Sequence, residues 1–363
     1  MKDIEYMNRA ILLAEKGRGG VNPNPLVGAL IVKEERIIGE GWHERYGGLH
    51  AERNAFENCQ EDPTGATMYV TLEPCCHYGK TPPGTDVIIE HRIARGVLGI
   101  TDPNPVVAGR GIECLKRAGI EVKVGVGEKD IRMQNRIFLK YITTKRPWVM
   151  MKTAMTLDGK IATTTGDSKW VTGVKARHIV HELRASCMSV MVGIGTVEAD
   201  NPQLNCRIKE CLRQPYRIVV DSHARLSLRT KLLSTAYDSK ILLAYTKKEN
   251  AFLFEVLEGC GVKSIRCKER DGRVDIDDLL EQLGKMKIDS VLLEGGGTLN
   301  ATFLEGGFVD EVYAFIAPKL VGGKEAKTPV EGKGIEKMKE AIVLQEVETI
   351  MVGKDILVHG FIR

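Results

Sequence analysis

Apolar residues recur every three or four positions at Ile4, Met7, Ile11 and Ala14, which predicts a helix ending at Gly17. Short apolar runs at 26–32 and 36–41 read as a pair of strands. The alternation continues with a helix from near His50 and a strand at 66–72, then a helix at 86–91 and a strand at 96–100. A helix at 112–118 and a strand at 121–124 follow. After Glu128 a further helix places Ile131, Ile137, Phe138 and Tyr141 on roughly one side. At Arg146-Pro147 the pattern changes, because proline disfavours a helical residue before it and Trp148 to Met151 reads as a buried strand. The boundary divides the chain into domains 1–146 and 147–363. The second part has strand candidates at 148–152, 190–193, 217–221, 241–244, 291–294, 312–316 and 356–359, and helix candidates at 175–184, 275–283 and 298–304. Helices and strands alternating in this way predict α/β layers in both parts.

Composition narrows the function classes. The chain has 363 residues, 43% apolar and 28% charged, with a formal charge of +4. That length is enough for about two domains with full hydrophobic cores. Each part carries an excess of two positive charges, so neither is a basic arm for nucleic acid or a membrane surface. Nine cysteines cannot all pair and lack the regular spacing of a secreted disulfide framework. The N-terminus carries Asp3 and Glu5 where a signal peptide is basic, and no run reaches about 18 apolar residues. A cytoplasmic protein is expected. Glycine is abundant, with 38 residues, which predicts tight turns or close backbone approach to ligands.

The first chemical cluster is His50-Ala51-Glu52, followed after a strand by Glu73-Pro74-Cys75-Cys76-His77. Zinc deaminases need a metal-bound hydroxide to attack an amine-bearing ring carbon, and a glutamate outside the ligand set to move protons. His50 and Cys75 are the metal-ligand candidates and Glu52 is the acid/base candidate. A cysteine at the mouth of the next helix is expected to be stabilised as a thiolate by the helix dipole. Each piece alone is common; helix, strand and helix together at this separation favour a metal site. The short signature Pro-Cys-x-x-Cys would place its second cysteine at Tyr78.

These motifs resemble one family, and more of the chain joins them. Asn22-Pro23-Asn24-Pro25-Leu26-Val27-Gly28, the His50 and Cys75 motifs through Gly79-Lys80-Thr81-Pro82-Pro83, and Asp102-Pro103-Asn104-Pro105 with Gly109-Arg110-Gly111 are similar to the bifunctional riboflavin-biosynthesis deaminase/reductases. The likeness covers essentially the whole chain. It implies a cytidine-deaminase-like three-layer α/β/α domain followed by a dihydrofolate-reductase-like α/β domain, with Zn2+ and NADPH as cofactors. It also implies that Asn24, His43, His77, Lys80, Asp102 and Asn104 line the deaminase pocket. Amides and imidazoles suit the polar edge of a pyrimidine, and Lys80 suits a sugar phosphate. Turn chemistry beside proline is the plainer account of Asn24, Asp102 and Asn104. The resemblance places a third zinc ligand directly after Thr81-Pro82-Pro83, where this chain has Gly84. Cys76, His77 or a water, at a considerable loss of affinity, would have to substitute. An alternative follows from Gly84: a reductase whose deaminase domain is impaired.

The second part contributes Met155 to Ala162, Gly166 to Thr172, Gly193 to Val197, Asp200-Asn201-Pro202, Leu204 to Arg207, and Glu294-Gly295-Gly296-Gly297-Thr298-Leu299. A glycine triplet between a strand and a helix lets backbone N–H groups approach a phosphate. It is not the Rossmann fingerprint. The resemblance assigns Ala154, Trp170, Thr196, Asp200, Ser222, Gly296, Gly297, Thr298, Leu299, Asn300, Ala301 and Thr302 to NADPH. It assigns Ser168, Arg184, Leu204, Arg207 and Glu294 to the phosphorylated substrate, for which the planar fork of arginine is suited. The remaining cysteines are expected to be packing residues. Small phosphoribosyl-pyrimidines are the expected partners, with no nucleic acid and no membrane. Homo-oligomerisation is what the family likeness implies.

Overall fold

The computed structural model describes residues 2–76, 83–104, 108–209, 211–247 and 250–362. The chain divides into two compact units, Met1–Lys145 and Arg146–Arg363.

In the first unit α1 (Asp3–Glu15) leads to the hairpin β1 (Gly28–Lys33) and β2 (Arg36–Trp42). Then come α2 (Ala51–Glu57), β3 (Thr67–Leu72), α3 (Gly84–Glu90) and β4 (Arg95–Ile100). The unit closes with α4 (Arg110–Arg117), β5 (Glu121–Val124), α5 (Glu128–Gln134) and α6 (Arg136–Thr144). The sheet order is β2-β1-β3-β4-β5, with β1 antiparallel to its neighbours and β3, β4 and β5 parallel. Helices α1 and α5 meet on one face, while α2, α3 and α4 follow one another on the other. Met7, Ala10 and Leu13 of α1 are fully packed against the sheet. That approach explains Gly28: a Cβ there would lie 2.0 Å from the carbonyl oxygen of Ala10. The helix expected after Glu128 is two helices, broken at Asn135. The Asn135 side chain accepts from the Leu26 N–H at 2.8 Å and donates to the Leu26 carbonyl at 3.0 Å, pinning the Asn24 loop to the core.

The second unit begins with β6 (Trp148–Thr156), α7 (Val174–Ser186), β7 (Ser189–Gly193), α8 (Ile194–Asp200) and β8 (Tyr216–Val220). Next are β9 (Ile241–Tyr245), α9 (Ala251–Gly259), β10 (Lys263–Arg266) and the short pair β11 (Glu269–Arg270) and β12 (Arg273–Val274). It ends with α10 (Ile276–Lys285), β13 (Ser290–Leu293), α11 (Gly297–Glu305), β14 (Glu311–Ala317), β15 (Gln345–Val352) and β16 (Asp355–Phe361). Nine strands form one sheet in the order β10-β9-β8-β7-β13-β6-β14-β16-β15. Strands from β10 to β14 run parallel, and β16 and β15 are antiparallel additions. Parallel strands are buried on both faces, which is why Val149, Met191, Ile218, Leu242, Val291 and Leu293 share one core. Glu294 and Asp221 leave the carboxyl ends of β13 and β8, the end at which open α/β sheets bind ligands.

Candidate functional site

In the first unit, the chain leaves the carboxyl ends of the adjacent parallel strands β3 and β4 together, since Leu72 pairs with Ile100. Glu73 to Cys76 and Asp102 to Asn104 follow directly. His50 is the N-cap of α2, and Glu52 is buried in its first turn. His50 Nδ1 lies 3.3 Å from Cys75 Sγ. Asn24 Nδ2 bonds His43 Nε2 at 3.0 Å, and His43 Nδ1 bonds the Leu49 carbonyl at 2.8 Å. The His43 ring meets that of His50 edge-on, with centroids 6.1 Å apart. Burial lowers the His43 pKa, which favours the neutral ring. Asn24, His43, His50 and Cys75 thus form one connected series. Asp102 accepts from the Asn104 N–H at 2.8 Å, as in a turn. His77 and Lys80 lie outside the described residues.

Two findings depart from expectation. Cys75 sits at the mouth of α3 as expected, its Sγ accepting from the N–H of Gly84, but burial together with the charge of Glu52 outweighs that bond and pushes its thiol up to about 11. Glu73, which sequence reasoning passed over, accepts four backbone N–H bonds from Asp102, Gly109, Gly111 and Ile112 at 2.9 to 3.2 Å. Its signal was an acid directly after a buried strand.

Tetrahedral Zn–N and Zn–S bonds set donors about 3.6 Å apart, near the 3.3 Å between His50 and Cys75. A catalytic zinc takes three protein ligands. Position 84 supplies no side chain, and among the described residues no three His, Cys, Asp or Glu groups are assembled to hold a metal. The described residues do not fit a three-ligand zinc site.

The second unit holds a cleft at the carboxyl ends of its central strands. One lobe, of about 530 Å³, is lined by Ala154, Ser168, Trp170, Arg184, Thr196, Asp200, Leu204, Arg207, Glu294, Gly296 and Asn300. A second lobe, of about 560 Å³, shares Ser168, Thr196, Asp200 and Gly296 and adds Ser222, Gly297, Thr298, Leu299 and Thr302. Ala301 lines neither lobe. It faces inward from α11 at 3% exposure.

Glu294 lines the cleft with its side chain 7% exposed. Its carboxylate accepts two bonds from Arg184, at 2.6 and 2.9 Å, and pairs with Lys152 Nζ at 3.1 Å. Burial alone would raise the Glu294 pKa, but Arg184 and Lys152 outweigh it and hold the group at about 2. Lys152 also lines the cleft, and sequence reasoning missed it. A single lysine closing the apolar run Trp148 to Met151 was its only signal. Ser168 Oγ donates to Asp200 at 2.8 Å. The Arg207 N–H bonds His181 Nδ1 at 3.3 Å, and burial with Arg184 and Arg207 nearby lowers His181 to about 4. Trp170 is exposed, with the Arg177 guanidinium 4.4 Å above its ring.

The glycine turn fits a dinucleotide phosphate. Gly296 caps α11, whose first N–H groups face the second lobe. Cβ atoms at Gly295 and Gly297 would lie 2.7 Å from Asn300 Oδ1 and 2.5 Å from Glu331 Cγ, so the close packing of the turn against α11 and Glu331 requires glycine at both positions. Of the cysteines outside the first cluster, Cys187, Cys206 and Cys267 are buried as expected, whereas Cys260 is exposed and Cys59, Cys114 and Cys211 are half-buried.

Fold and site together define a two-unit α/β enzyme, a cytidine-deaminase-like unit joined to a reductase. Residues 1–100 match the cytidine and deoxycytidylate deaminase zinc-binding region, and residues 147–358 match the RibD C-terminal domain. The chain is 51% identical to the riboflavin biosynthesis protein RibD of Actinobacillus pleuropneumoniae, over 98% of this chain and 94% of that one. It is 38% identical to RibD of Escherichia coli K12, over 99% of both. Among solved structures, Acinetobacter baumannii RibD superposes with a TM-score of 0.91 at 36% identity, covering 99% of each chain. The Thermotoga maritima diaminohydroxyphosphoribosylaminopyrimidine deaminase/5-amino-6-(5-phosphoribosylamino)uracil reductase gives 0.86 at 39% identity, again over 99% of each. The chain belongs to the RibD family and is a bifunctional deaminase/reductase of riboflavin biosynthesis. Its relatives match both units, so nothing in them favours a reductase alone.

Proposed function

We propose that domain 1–146 deaminates 2,5-diamino-6-ribosylamino-4(3H)-pyrimidinone 5′-phosphate, and that domain 147–363 reduces the resulting 5-amino-6-(5-phosphoribosylamino)uracil to the ribitylamino product with NADPH. The observation that carries this reading is the two-lobed cleft, in which Arg184, Lys152 and Glu294 share one lobe and the glycine cradle opens on the other.

In the first unit Glu52 would carry protons between an attacking water and the departing ammonia. Asn24 and His43 would read the pyrimidine edge, with neutral His43 held in orientation by the Leu49 carbonyl. In the second unit the Gly296–Thr302 turn would hold the dinucleotide phosphates, with Thr196 and Asp200 beside it and Ser222 at the far end. NADPH, when bound, supplies the hydride. Arg207 and Ser168 would bind the substrate phosphate end, and Lys152, charged beside Glu294, would donate a hydrogen bond to the sugar oxygen that gains charge. The protein positions and polarises, and no protein nucleophile is needed.

The nine cysteines are free thiols, which supports a cytoplasmic location. Among the described residues no helix is long and apolar enough to cross a membrane. A coupled assay tests the assignment: substrate and NADPH should give ammonia, NADPH oxidation and a ribitylamino product by mass spectrometry. NADPH oxidation that does not depend on the uracil intermediate would count against it.

A further inference from the structure

We propose that position 84 limits zinc retention by the first unit, so that the donors present there hold the metal only weakly and exchangeably. The inference rests on the deaminase reading of this unit.

Gly84 is fixed against the cluster. Its N–H donates to Cys75 Sγ at 3.3 Å, while the Thr85 N–H and hydroxyl both donate to the Cys75 carbonyl, at 3.1 and 3.2 Å. A Cβ on Gly84 would point at Glu52, 2.2 Å from Oε1 and 3.0 Å from Cδ. The direction of a side chain at 84 is therefore set by the backbone: it would enter the space bounded by His50, Cys75 and Glu52. In this chain the Glu52 carboxylate fills that space. Gly84 does not adopt the left-handed backbone that requires glycine, and Pro83 before it is extended, so the backbone itself admits a side chain. The closest obstruction is the far end of a flexible carboxylate, which can swing aside, while Pro74 Cβ at 3.3 Å has to give by a few tenths of an ångström.

Among the described residues His50 and Cys75 are the two donors set at zinc-like spacing, and with these two alone a tetrahedral zinc would have to complete its shell with water or with Glu52. Water ligands exchange, and a Glu52 drawn onto the metal is withdrawn from proton transfer. Either way zinc binds weakly, because metal affinity at such sites is built from the number of fixed, deprotonated ligands.

The test uses the full-length protein, stripped with EDTA and titrated with zinc against a chromophoric chelator. Gly84→Cys should bind zinc about 100-fold more tightly than the unaltered chain, since losing even a supporting contact to a ligand costs 10–100-fold. Gly84→Ala supplies the same Cβ and displaces Glu52 in the same way but brings no sulfur. It should stay with the unaltered chain. Cobalt(II) gives a second readout, with stronger thiolate-to-metal absorption in Gly84→Cys. NADPH oxidation with the uracil intermediate supplied should be equal in all three proteins, and far-UV circular dichroism with a thermal melt of each shows whether the first unit of the variants is folded. One zinc per unaltered chain surviving EDTA dialysis would overturn the proposal, as would equal affinity in Gly84→Ala and Gly84→Cys. The unaltered chain answers the retention question even where a variant does not fold. Absence of ammonia from both the unaltered chain and Gly84→Cys at saturating zinc would instead sink the deaminase reading and leave the affinity difference standing.

Discussion

At the scale of single residues, Glu294 shows how a site is made from cost and compensation. A buried carboxylate is expensive, and it is retained here because Arg184 binds both its oxygens and Lys152 approaches from the side. Glu294→Gln keeps the shape and removes the charge, leaving two cations facing each other on the wall of the cleft. At pH 7 it should lower the stability of the second unit by roughly 3–5 kcal/mol, measured by denaturant unfolding. The pH dependence has a fixed sign. The folded pKa, about 2, lies below the ordinary 4.5, so the contribution is complete above pH 4.5 and is lost as pH falls from there through 2. The gap between the two proteins should narrow over that window, and a constant gap would show that the charge is not the cause. Arg207→Ala removes a cation from the substrate lobe but not from the glycine cradle. It should raise KM for the phosphorylated substrate roughly 10- to 100-fold, with KM for NADPH unchanged. Equal rises in both would misplace the residue. Arg184 and Glu294 were legible in the sequence only through family likeness, because periodicity makes Arg184 an ordinary helix residue. The thiol state of Cys75 was not legible, since it depends on burial and on a carboxylate 23 positions away in the chain.

At the scale of elements, most helices and strands were readable because their apolar faces repeat with one period over six or more residues. The exceptions have physical causes. Strand β15 buries only Val352 and so carries no inside–outside alternation. Helix α8 is a single turn or two with one buried residue, Val197. Helix α5 is separated from α6 by Asn135, whose role is a hydrogen bond to Leu26, invisible in a hydropathy pattern. Glu73 is the strongest case. It gathers the turn after β4 and the start of α4 onto the end of β3 through four N–H bonds. Glu73→Gln turns one acceptor oxygen into a donor aimed at backbone N–H groups, and each group left unsatisfied costs about 1–3 kcal/mol. The expected result is faster amide exchange at Asp102, Gly109, Gly111 and Ile112 ahead of the sheet. Exchange unchanged at those four positions would remove Glu73 from this role.

At the scale of the whole molecule, the two units have separate cores: Met7, Leu30, Val70 and Leu98 belong to one, and Met191, Leu242, Val291 and Phe303 to the other. The large sheet of the second unit ends in β15, whose outer edge has no partner strand among the described residues. Val347, Ile350 and Met351 on that strand are 46–65% exposed, and Ile342 and Val343 lead into it equally uncovered. An exposed apolar edge strand is a liability unless something pairs with it or covers it. A second copy of the chain offers the same edge, and a two-fold axis lets each satisfy the other with identical contacts. We therefore expect a homodimer through β15, in keeping with the oligomer that the family likeness implies. Light scattering of the unaltered chain should give the mass of two chains at micromolar concentration. Val347→Lys combined with Met351→Lys should give the mass of one, since two desolvated ammonium groups per chain would face their own copies across the axis. The charges lie on a strand that buries almost nothing in the single chain, so the variant should keep its fold and only the association should be lost. A two-chain mass that survives the double substitution would place the interface elsewhere.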